Sequence, residues 1–302
     1  MQIRAERLTE RLTALFESGT ITRVLGWQKG EFEEDLTPYV FDNKEEFLKG
    51  FVYNEYSGAN LSKYLIKAAK GEGKIAVLLK PCDNYSFVQL QKEHRIAREN
   101  VYAIGIPCDG MKDTEGNELV KCKTCKCIGA EPFKFLDCDE VLAADEDAPK
   151  VEARENRFDE VAKLEKMTPE ERYAFWQEQL SRCIRCNACR NVCPACSCEK
   201  CVFDNPNIAR NKAAADSFEE NLYHVIRSFH VAGRCTDCGE CSRVCPEHIP
   251  LHLLNRKYIK DIDELYGEYQ AGADFDTKSP LMDFTKADCE PSVVYTRGGE
   301  DA

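Results

Sequence analysis

Cysteine is the residue type that equips this sequence for chemistry, because it occurs 18 times among 302 residues. Eight of the thiols form two runs of one pattern, C-x2-C-x2-C-x3-C-P, which begin at Cys183 and Cys235. Three thiolates spaced by two residues can bind one face of a [4Fe–4S] cubane, whereas the fourth cysteine of such a run ligates the other cluster. The two runs therefore predict two [4Fe–4S] clusters with crossed ligands.

The crossed pattern assigns four thiolates to each cluster. Cluster one is predicted to bind Cys183, Cys186, Cys189 and Cys245. Cluster two is predicted to bind Cys235, Cys238, Cys241 and Cys193. The alternative is a pair of zinc sites in a structural scaffold, but zinc sites use isolated C-x2-C pairs and four ligands in total. Two complete runs with trailing prolines favour iron–sulfur clusters.

Three more thiols follow the first run within six residues: Cys196, Cys198 and Cys201. Free thiols at this density are vulnerable in a protein that meets oxygen. They either bind metal or indicate an anaerobic protein that tolerates free thiols. We favour a further metal or cluster site.

A separate group of cysteines follows two strand-like segments. Cys82 comes just after the apolar run 75–79, and Cys108 comes just after the run 101–106, each in a Pro-Cys-Asp tripeptide. The two runs flank a helical pattern and so form a βαβ unit, whose parallel strands end at one edge of the sheet. The thiols of Cys82 and Cys108 should therefore lie close together.

The pair Cys122 and Cys125 lies on the following loop and can complete a third cluster with those two thiols. The alternatives are that Cys82 and Cys108 are buried packing residues and that the C-x2-C pair holds zinc or no metal. Three cysteines have no predicted role: Cys127, Cys138 and Cys289.

The composition excludes several classes of protein. A net charge of −12 argues against a nucleic-acid-binding protein, which would present a basic face. No apolar run approaches the roughly 18 residues of a membrane span, and the N-terminal segment reads as an amphipathic helix without the features of a secretory signal. We expect a cytoplasmic protein, in which cysteines are kept reduced for metals or catalysis rather than paired as disulfides.

The chain divides into four predicted regions. Residues 1–140 form an α/β domain with strands near 21–27, 39–42, 75–79 and 101–106 and with helices near 60–69 and 85–98. Residues 141–182 form an acidic linker and a helix that starts at Thr168, with proline at the first helical position. Residues 183–266 form an α-helical two-cluster ferredoxin domain, and residues 267–302 form an extended tail that a partner would order.

The distance between the two cysteine runs indicates which kind of ferredoxin domain to expect. The 41 residues between Cys193 and Cys235 hold an amphipathic helix, at about 208–232, for which a compact β-rich ferredoxin has no place. A second helix is predicted near 251–266. On the first helix, His224 and His230 are interpreted as surface or core-edge residues. Arg227 and Arg234 either moderate the negative charge of a cluster or are solvated.

Four segments of the sequence resemble one known family: LKPCDNYSFVQLQKEHRIARENVYAIGIPCDGMKD, CKTC, CIRCNACRNVCPACSCEKC and GRCTDCGECSRVCPEHIPL. It is the iron–sulfur beta-subunit family of coenzyme F420-reducing hydrogenases and F420-dependent formate dehydrogenases, with its bacterial relatives. The KPCD and GIPC-x-G elements are the most distinguishing, and the resemblance covers about residues 10–270. In the archetypal subunits the cluster runs precede the α/β portion, whereas here they follow it, so the bacterial relatives match better.

The resemblance implies an electron-transfer subunit of a multi-subunit anaerobic oxidoreductase. Its partner would be a hydrogenase, a formate dehydrogenase or a heterodisulfide-reductase-like enzyme, and the chain would not be catalytic alone. The archetypal subunits also bind FAD and the deazaflavin, although this sequence lacks a G-x-G-x-x-G signature. A second interpretation is therefore a flavin-containing subunit that exchanges a hydride with F420 or a nicotinamide.

Overall fold

The computed structural model describes residues 2–128, 132–143, 154–204 and 218–282. Within these residues, the N-terminal part contains one five-stranded sheet in the order β2-β1-β3-β4-β5. The strands are β1 (Arg23–Lys29), β2 (Leu36–Phe41), β3 (Ile75–Leu79), β4 (Val101–Gly105) and β5 (Glu140–Val141). The predicted mixture of α and β structure in this part of the chain is confirmed.

The centre of the sheet is a βαβ unit made by β3, helix α4 (Pro81–Lys92) and β4. β3 pairs in parallel with β4, and β1 pairs in parallel with β3 but antiparallel with β2. Every residue of β3 is buried, which explains why its sequence is apolar without alternation. The carboxyl ends of β3 and β4 therefore meet at one edge of the sheet, as predicted.

The remaining helices of this α/β part are α1 (Gln2–Glu17), α2 (Lys44–Gly50), α3 (Leu65–Ala68) and α5 (Val120–Lys123). The amphipathic α1 buries Leu8, Leu12 and Leu15, which recur at helical spacing. They join the apolar core that surrounds β3 and β4. The core is thus continuous from α1 through the sheet.

Two predicted helices of the α/β part have different bounds. The helix expected over 60–69 is a 3-10 turn at Ser62–Tyr64 followed by the single turn α3. The helix expected over 85–98 begins at Pro81 and ends at Lys92. Proline suits the first helical turn, and the Asp83 carboxylate accepts the backbone N–H of Lys80 at 3.3 Å, as in a capping box. His94, at φ 54°, lies just past the end of the helix.

The helical part of the chain comprises residues 159–204 and 218–266 among those described. Its helices are α6 (Asp159–Glu165), α7 (Pro169–Ser181), α8 (Ala188–Asn191), α9 (Phe218–Val231), α10 (Glu240–Arg243) and α11 (Leu251–Tyr266). The predicted start of α7 is confirmed, because Thr168 and Glu171 exchange backbone-to-side-chain hydrogen bonds of 2.8 and 3.2 Å. The helix expected at about 208–232 is described from Phe218 onward. No helix among the described residues is long and apolar enough to span a bilayer.

The two parts pack against each other through buried polar contacts. Lys121 Nζ pairs with the Glu240 carboxylate, and these side chains are 7 % and 2 % exposed. Ser86 Oγ lies 2.9 Å from Thr236 Oγ1 across the same boundary. The edge of the sheet that carries the N-terminal cysteines therefore faces the second cysteine run.

The beginning of the predicted tail packs against its own chain. Tyr269 and Ala271 are buried with Ile262, and Lys92 Nζ donates to the Thr277 carbonyl at 2.6 Å. Gly272 has φ 77° and lies against the Tyr85 backbone, where a Cβ would stand 1.9 Å from the carbonyl oxygen. The rest of the tail, from residue 283 and including Cys289, lies outside the described residues.

Candidate metal centre

One cavity is lined by all four thiols that the crossed pattern assigns to cluster one: Cys183, Cys186, Cys189 and Cys245. We call these four residues site one. Cys186 is exposed whereas Cys189 is buried, so the site opens to solvent on one side. The structure therefore brings a cysteine of the second run to the three of the first run, and their role as cluster ligands remains a prediction.

The thiols assigned to cluster two also lie together. The Cys193 thiol is within electrostatic range of Cys235, Cys238 and Cys241, although it belongs to the other run. Cys193 and Cys235 also pack on the same small apolar group beside Val231. We call these four cysteines site two, and its composition is again the crossed one.

Both cysteine runs fold into the same local shape. Arg185 and Asn187 flank the second cysteine of the first run at φ 53° and 61°, and Asp237 and Gly239 flank the second cysteine of the second run at φ 56° and 69°. Left-handed residues on both sides of a cysteine turn the chain tightly. In the first run, the backbone N–H of Arg185 donates to Cys183 Sγ at 3.4 Å.

His224 is buried beside site one, with 1 % of its surface exposed and its Nε2 3.2 Å from Cys183 Sγ. The interpretation of His224 as a surface or core-edge residue was therefore wrong, whereas His230 is exposed as expected. The periodicity of α9 could have shown that His224 lies on its inward stripe, since it is seven residues before the buried Val231. The pattern does not show which residues pack against that stripe.

The N-terminal thiols converge from three segments. Cys82 lies in the first turn of α4, Cys108 lies on the loop after β4, and Cys122 and Cys125 lie in and just after α5. The thiol of Cys125 is within electrostatic range of Cys82, Cys108 and Cys122. We call these four cysteines the N-terminal site.

Cys127, which had no predicted role, joins the N-terminal site. A hydrogen bond from Cys127 lowers the pKa of the Cys125 thiol to about 6. The charge of the Cys82 thiol also contributes to raising the pKa of Cys127. The C-x-C spacing of Cys125 and Cys127 was a signal for this contact, because alternate residues of a loop can turn toward one ligand.

Ion pairs and hydrogen bonds hold both sides of the N-terminal site in place. Lys80 and Asp83 flank Cys82 and form a 2.9 Å pair whose side chains are 1 % and 0 % exposed. On the other loop, Arg4 of α1 donates to the Pro107 carbonyl at 2.7 Å and to the Asp109 carboxylate at 3.2 Å. The two Pro-Cys-Asp tripeptides are therefore fixed by different partners, although their sequences match.

The chemistry of these thiols fits metal binding. Burial raises the pKa of Cys108 and that of Cys241 to about 12, which favours the neutral thiol in the absence of a metal. A bound metal ion deprotonates its cysteine ligands and takes the thiolate. Lys121 next to Cys122, and Arg227 next to Cys241, oppose this rise in pKa because their positive charge favours the thiolate.

No group of three or more Cys, His, Asp or Glu side chains among the described residues is arranged around the position of a single metal ion. Four thiolates on one zinc ion, with Zn–S bonds of about 2.3 Å, stand only about 4 Å apart. The described thiols are therefore not gathered around one point as a four-thiolate zinc site requires.

The other cysteines are placed separately. A hydrogen bond joins Cys196 to Cys193 of site two, whereas Cys198 is exposed. Cys201 lies beside Arg190, which pairs with Asp204 at 2.7 Å. Cys138 lies 3.5 Å from the Asn84 amide and packs against the main core.

The two arginines noted in the sequence have different surroundings. Arg234 pairs with the Glu93 carboxylate at 2.5 Å and also donates to Ser197 Oγ at 3.0 Å. Arg227 is 1 % exposed, and none of its three guanidinium nitrogens has a hydrogen-bond partner within the described part of the chain. Arg227 therefore faces the cysteine sites without a carboxylate, as a cation that a cluster could neutralise.

Comparison with known proteins supports the same reading of the cysteines. The family described as "4Fe-4S dicluster domain" matches residues 179–249, which include both cysteine runs. The F420-dependent formate dehydrogenase subunit beta of Methanocaldococcus jannaschii is 25 % identical, covering 84 % of this chain and 89 % of its own. The F420-dependent formate dehydrogenase 1 subunit beta of Methanococcus maripaludis is also 25 % identical, covering 87 % of this chain and 90 % of its own.

Among solved structures, a chain of the F420-reducing [NiFe] hydrogenase complex from Methanosarcina barkeri aligns over 36 % of this chain and 39 % of its own. The aligned residues are 17 % identical and the TM-score is 0.30, which is too low to establish a common fold. The similarity of the relatives extends over most of this chain and is not confined to the cysteine runs.

Proposed function

We propose a three-site electron route for this chain, which belongs to the iron–sulfur beta-subunit family represented by the F420-dependent formate dehydrogenases. The chain is an iron–sulfur electron-transfer subunit of an oxidoreductase. A bound [4Fe–4S] cluster takes up and releases one electron at a potential set by its surroundings. The chain's own residues would hold each cluster and bring it close to the next.

The observation that carries the proposal is the crossed composition of sites one and two. Cys245 lines the same cavity as the first run, and Cys193 lies among the thiols of the second. Crossing interlocks the two loops, so neither cluster can bind without part of the other run. The two clusters would then be held side by side at a short distance, as a relay requires.

The N-terminal site would lie next to site two in this route. The partly buried Lys126 links them, since the thiols of both Cys127 and Cys235 act on it electrostatically, after Asp237 and Arg157. Its Nζ donates to the Thr236 carbonyl at 2.9 Å, one residue after Cys235. The order of the proposed route is therefore N-terminal site, site two, site one, with the exposed Cys186 at one end.

The partner at either end would be another subunit of the same redox complex, such as the catalytic subunit of a formate dehydrogenase or a hydrogenase. The reduced state of so many thiols suits a reducing compartment, and we propose the cytoplasm. Cys196, Cys198 and Cys201 remain candidates for a further metal site. Of these three, Cys196 is hydrogen-bonded to a proposed ligand, Cys193.

Iron and acid-labile sulfide, measured per chain on anaerobically prepared full-length protein, test the route. Three cubanes correspond to about twelve irons, and two to about eight. Cys186→Ser should remove about four irons from site one, and Cys82→Ser should remove about four from the N-terminal site. Cys138→Ser is the matched control and should remove none. A wild-type chain with about eight irons would contradict the third site, and one with fewer than about eight would contradict the two paired clusters as well.

Flavin binding is a second candidate function that one groove favours. The groove runs beside α5, and its lining combines the cations Lys112, Lys121 and Arg243 and the rings of Tyr56, His248 and His252 with the carboxylates of Glu34, Asp35 and Asp113. Cationic side chains suit the phosphates of a dinucleotide, and the adjoining Cys122 would place an electron acceptor close by. Flavin released on acid denaturation of the purified complex, quantified against iron, tests this function; less than a tenth of an equivalent would contradict it.

A further inference from the structure

Helix α9 runs alongside both ferredoxin-type sites. His224 on this helix contacts Cys183 of site one, and Val231 packs with Cys193 and Cys235 of site two. Seven residues of α-helix span about 10 Å. One face of α9 therefore extends from one cluster site to the other, and Arg227 lies between its two ends.

Arg227 is a buried cation whose charge the protein does not balance with a carboxylate. It is 1 % exposed, and Nε, Nη1 and Nη2 all lack a hydrogen-bond partner within the described residues. A buried guanidinium left in this state would destabilise the fold. The other buried arginine of the helical part, Arg256, illustrates the usual solution, because it pairs with Asp237 at 2.8 Å.

Cysteine thiols from both runs are the acidic groups that act on Arg227 electrostatically: Cys241, Cys189, Cys193 and Cys196. Cys189 belongs to site one, whereas Cys241 and Cys193 belong to site two. A guanidinium with five N–H donors can serve acceptors on two sides at once.

We infer that Arg227 is a counter-cation shared by the two clusters, positioned by α9 to donate hydrogen bonds to sulfurs of both and to set their reduction potentials together. This inference rests on the proposed occupation of sites one and two. Arg227 is a positioning residue for electron transfer, since it does not itself accept the electron.

The expected effect follows from charge. Reduction adds one negative charge to a cluster, and a nearby buried cation stabilises that charge and raises the reduction potential. Because Arg227 adjoins both sites, its removal should shift both potentials in the same direction.

The test uses the full-length protein, prepared anaerobically, with Arg227→Gln and Arg227→Lys. Arg190→Gln is the matched control: it removes one positive charge next to Cys189, but from a guanidinium that is 17 % exposed and already paired with Asp204. Iron per chain is measured first, and the midpoint potential of each cluster is then obtained by redox titration followed by EPR. Wild-type protein that holds fewer than about eight irons would contradict the proposed function before this inference is tested.

Several results would support the inference. Arg227→Gln should lower both midpoint potentials, Arg227→Lys should keep them nearer to wild type, and Arg190→Gln should change them least. If Arg227→Gln cannot retain iron, loss from both sites with retention in Arg227→Lys supports it equally, because charge and not shape is then what matters.

Three results would overturn it. The first is full iron with unchanged potentials in Arg227→Gln. The second is a shift, or an iron loss, confined to one site. The third is equal iron loss in Arg227→Gln and Arg227→Lys, which would mean that Arg227 acts through packing alone.

Discussion

The N-terminal site and the paired sites of the helical part are built in opposite ways. In sites one and two, each run supplies three thiols from one short loop, and the two loops have the same backbone shape. In the N-terminal site, the thiols come from three segments that the sheet brings together. A repeated local motif and a dispersed set of residues can therefore both place several thiols close together.

The surroundings of the two kinds of site also differ. The N-terminal site lies at the edge of one continuous apolar core that includes the sheet and α1. The helical part has small separate apolar groups, two of which contain the cysteines themselves. The α/β part should therefore fold without iron, whereas the helical part should depend on its clusters.

Removal of iron gives the largest expected effect. Chelation under denaturant-free conditions should unfold the loops of residues 183–245, because metal binding and folding are coupled where the core is small. The α/β part should remain folded. Limited proteolysis should cut the iron-free protein first between residues 183 and 245. Early cutting within β3 or β4 would show that the α/β part also depends on iron.

The buried pair of Lys121 with Glu240 links the two parts, and its loss should have the next largest effect. Lys121→Met leaves Glu240 buried with Arg243 as its remaining partner, at 2.8 Å. We expect a loss of about 2–3 kcal/mol in the free energy of unfolding, below the full cost of a broken buried pair. Denaturant titration of the iron-loaded protein measures it.

Lys49→Met is the matched control for that substitution. Lys49 pairs with Glu45 at 2.7 Å, but both side chains are more than 70 % exposed, at 74 % and 79 %. The loss should stay below about 0.5 kcal/mol. Equal losses for the two lysines would mean that the boundary between the parts contributes little to stability.

Gly239 and Asn187 occupy the same position in the two loops. Exchanging their residue types tests how closely each loop packs against its neighbours. Gly239→Asn adds a Cβ that would meet the Lys121 Cβ at 2.5 Å. The φ of 69° is one that asparagine tolerates, so the cost of about 2 kcal/mol would come from the clash.

The reverse change, Asn187→Gly, is the control. It removes the hydrogen bond that Asn187 Oδ1 accepts from the Tyr223 hydroxyl at 2.9 Å, which should cost about 1 kcal/mol. Thermal unfolding of both variants reports the difference. If Gly239→Asn is the milder change, the two parts do not pack tightly at this position.

The smallest expected effect concerns the approach to site one. Thr168→Ala removes the cap of α7, whose hydroxyl accepts the Glu171 N–H at 3.2 Å, and should cost about 1 kcal/mol. The iron content should be unchanged, since the cap lies at the opposite end of α7 from Cys183. Thermal melting with iron analysis checks both statements, and Thr168→Ser should restore most of the loss.

Several features could be predicted from the sequence because they depend on neighbours in the chain. The spacing of three cysteines determines which thiols one loop can present, and the trailing prolines identify both runs as the same motif. The apolar run 75–79 indicated a strand buried on both faces, and Thr168, Pro169 and Glu171 marked the start of α7. Each of these rests on bond geometry or on hydrogen bonds within a few residues.

Other features were decided only by tertiary structure. The contact of Cys127 with the N-terminal site, the burial of His224 against Cys183, and the packing of Tyr269 on its own chain have no local signal strong enough to predict them. The order of the three sites is also tertiary, because it depends on the buried contacts of Lys121 and Lys126 across more than 100 residues of sequence. Such contacts form because a buried charge must find a partner wherever the packing of the whole chain places one, and residue spacing does not reveal where that is.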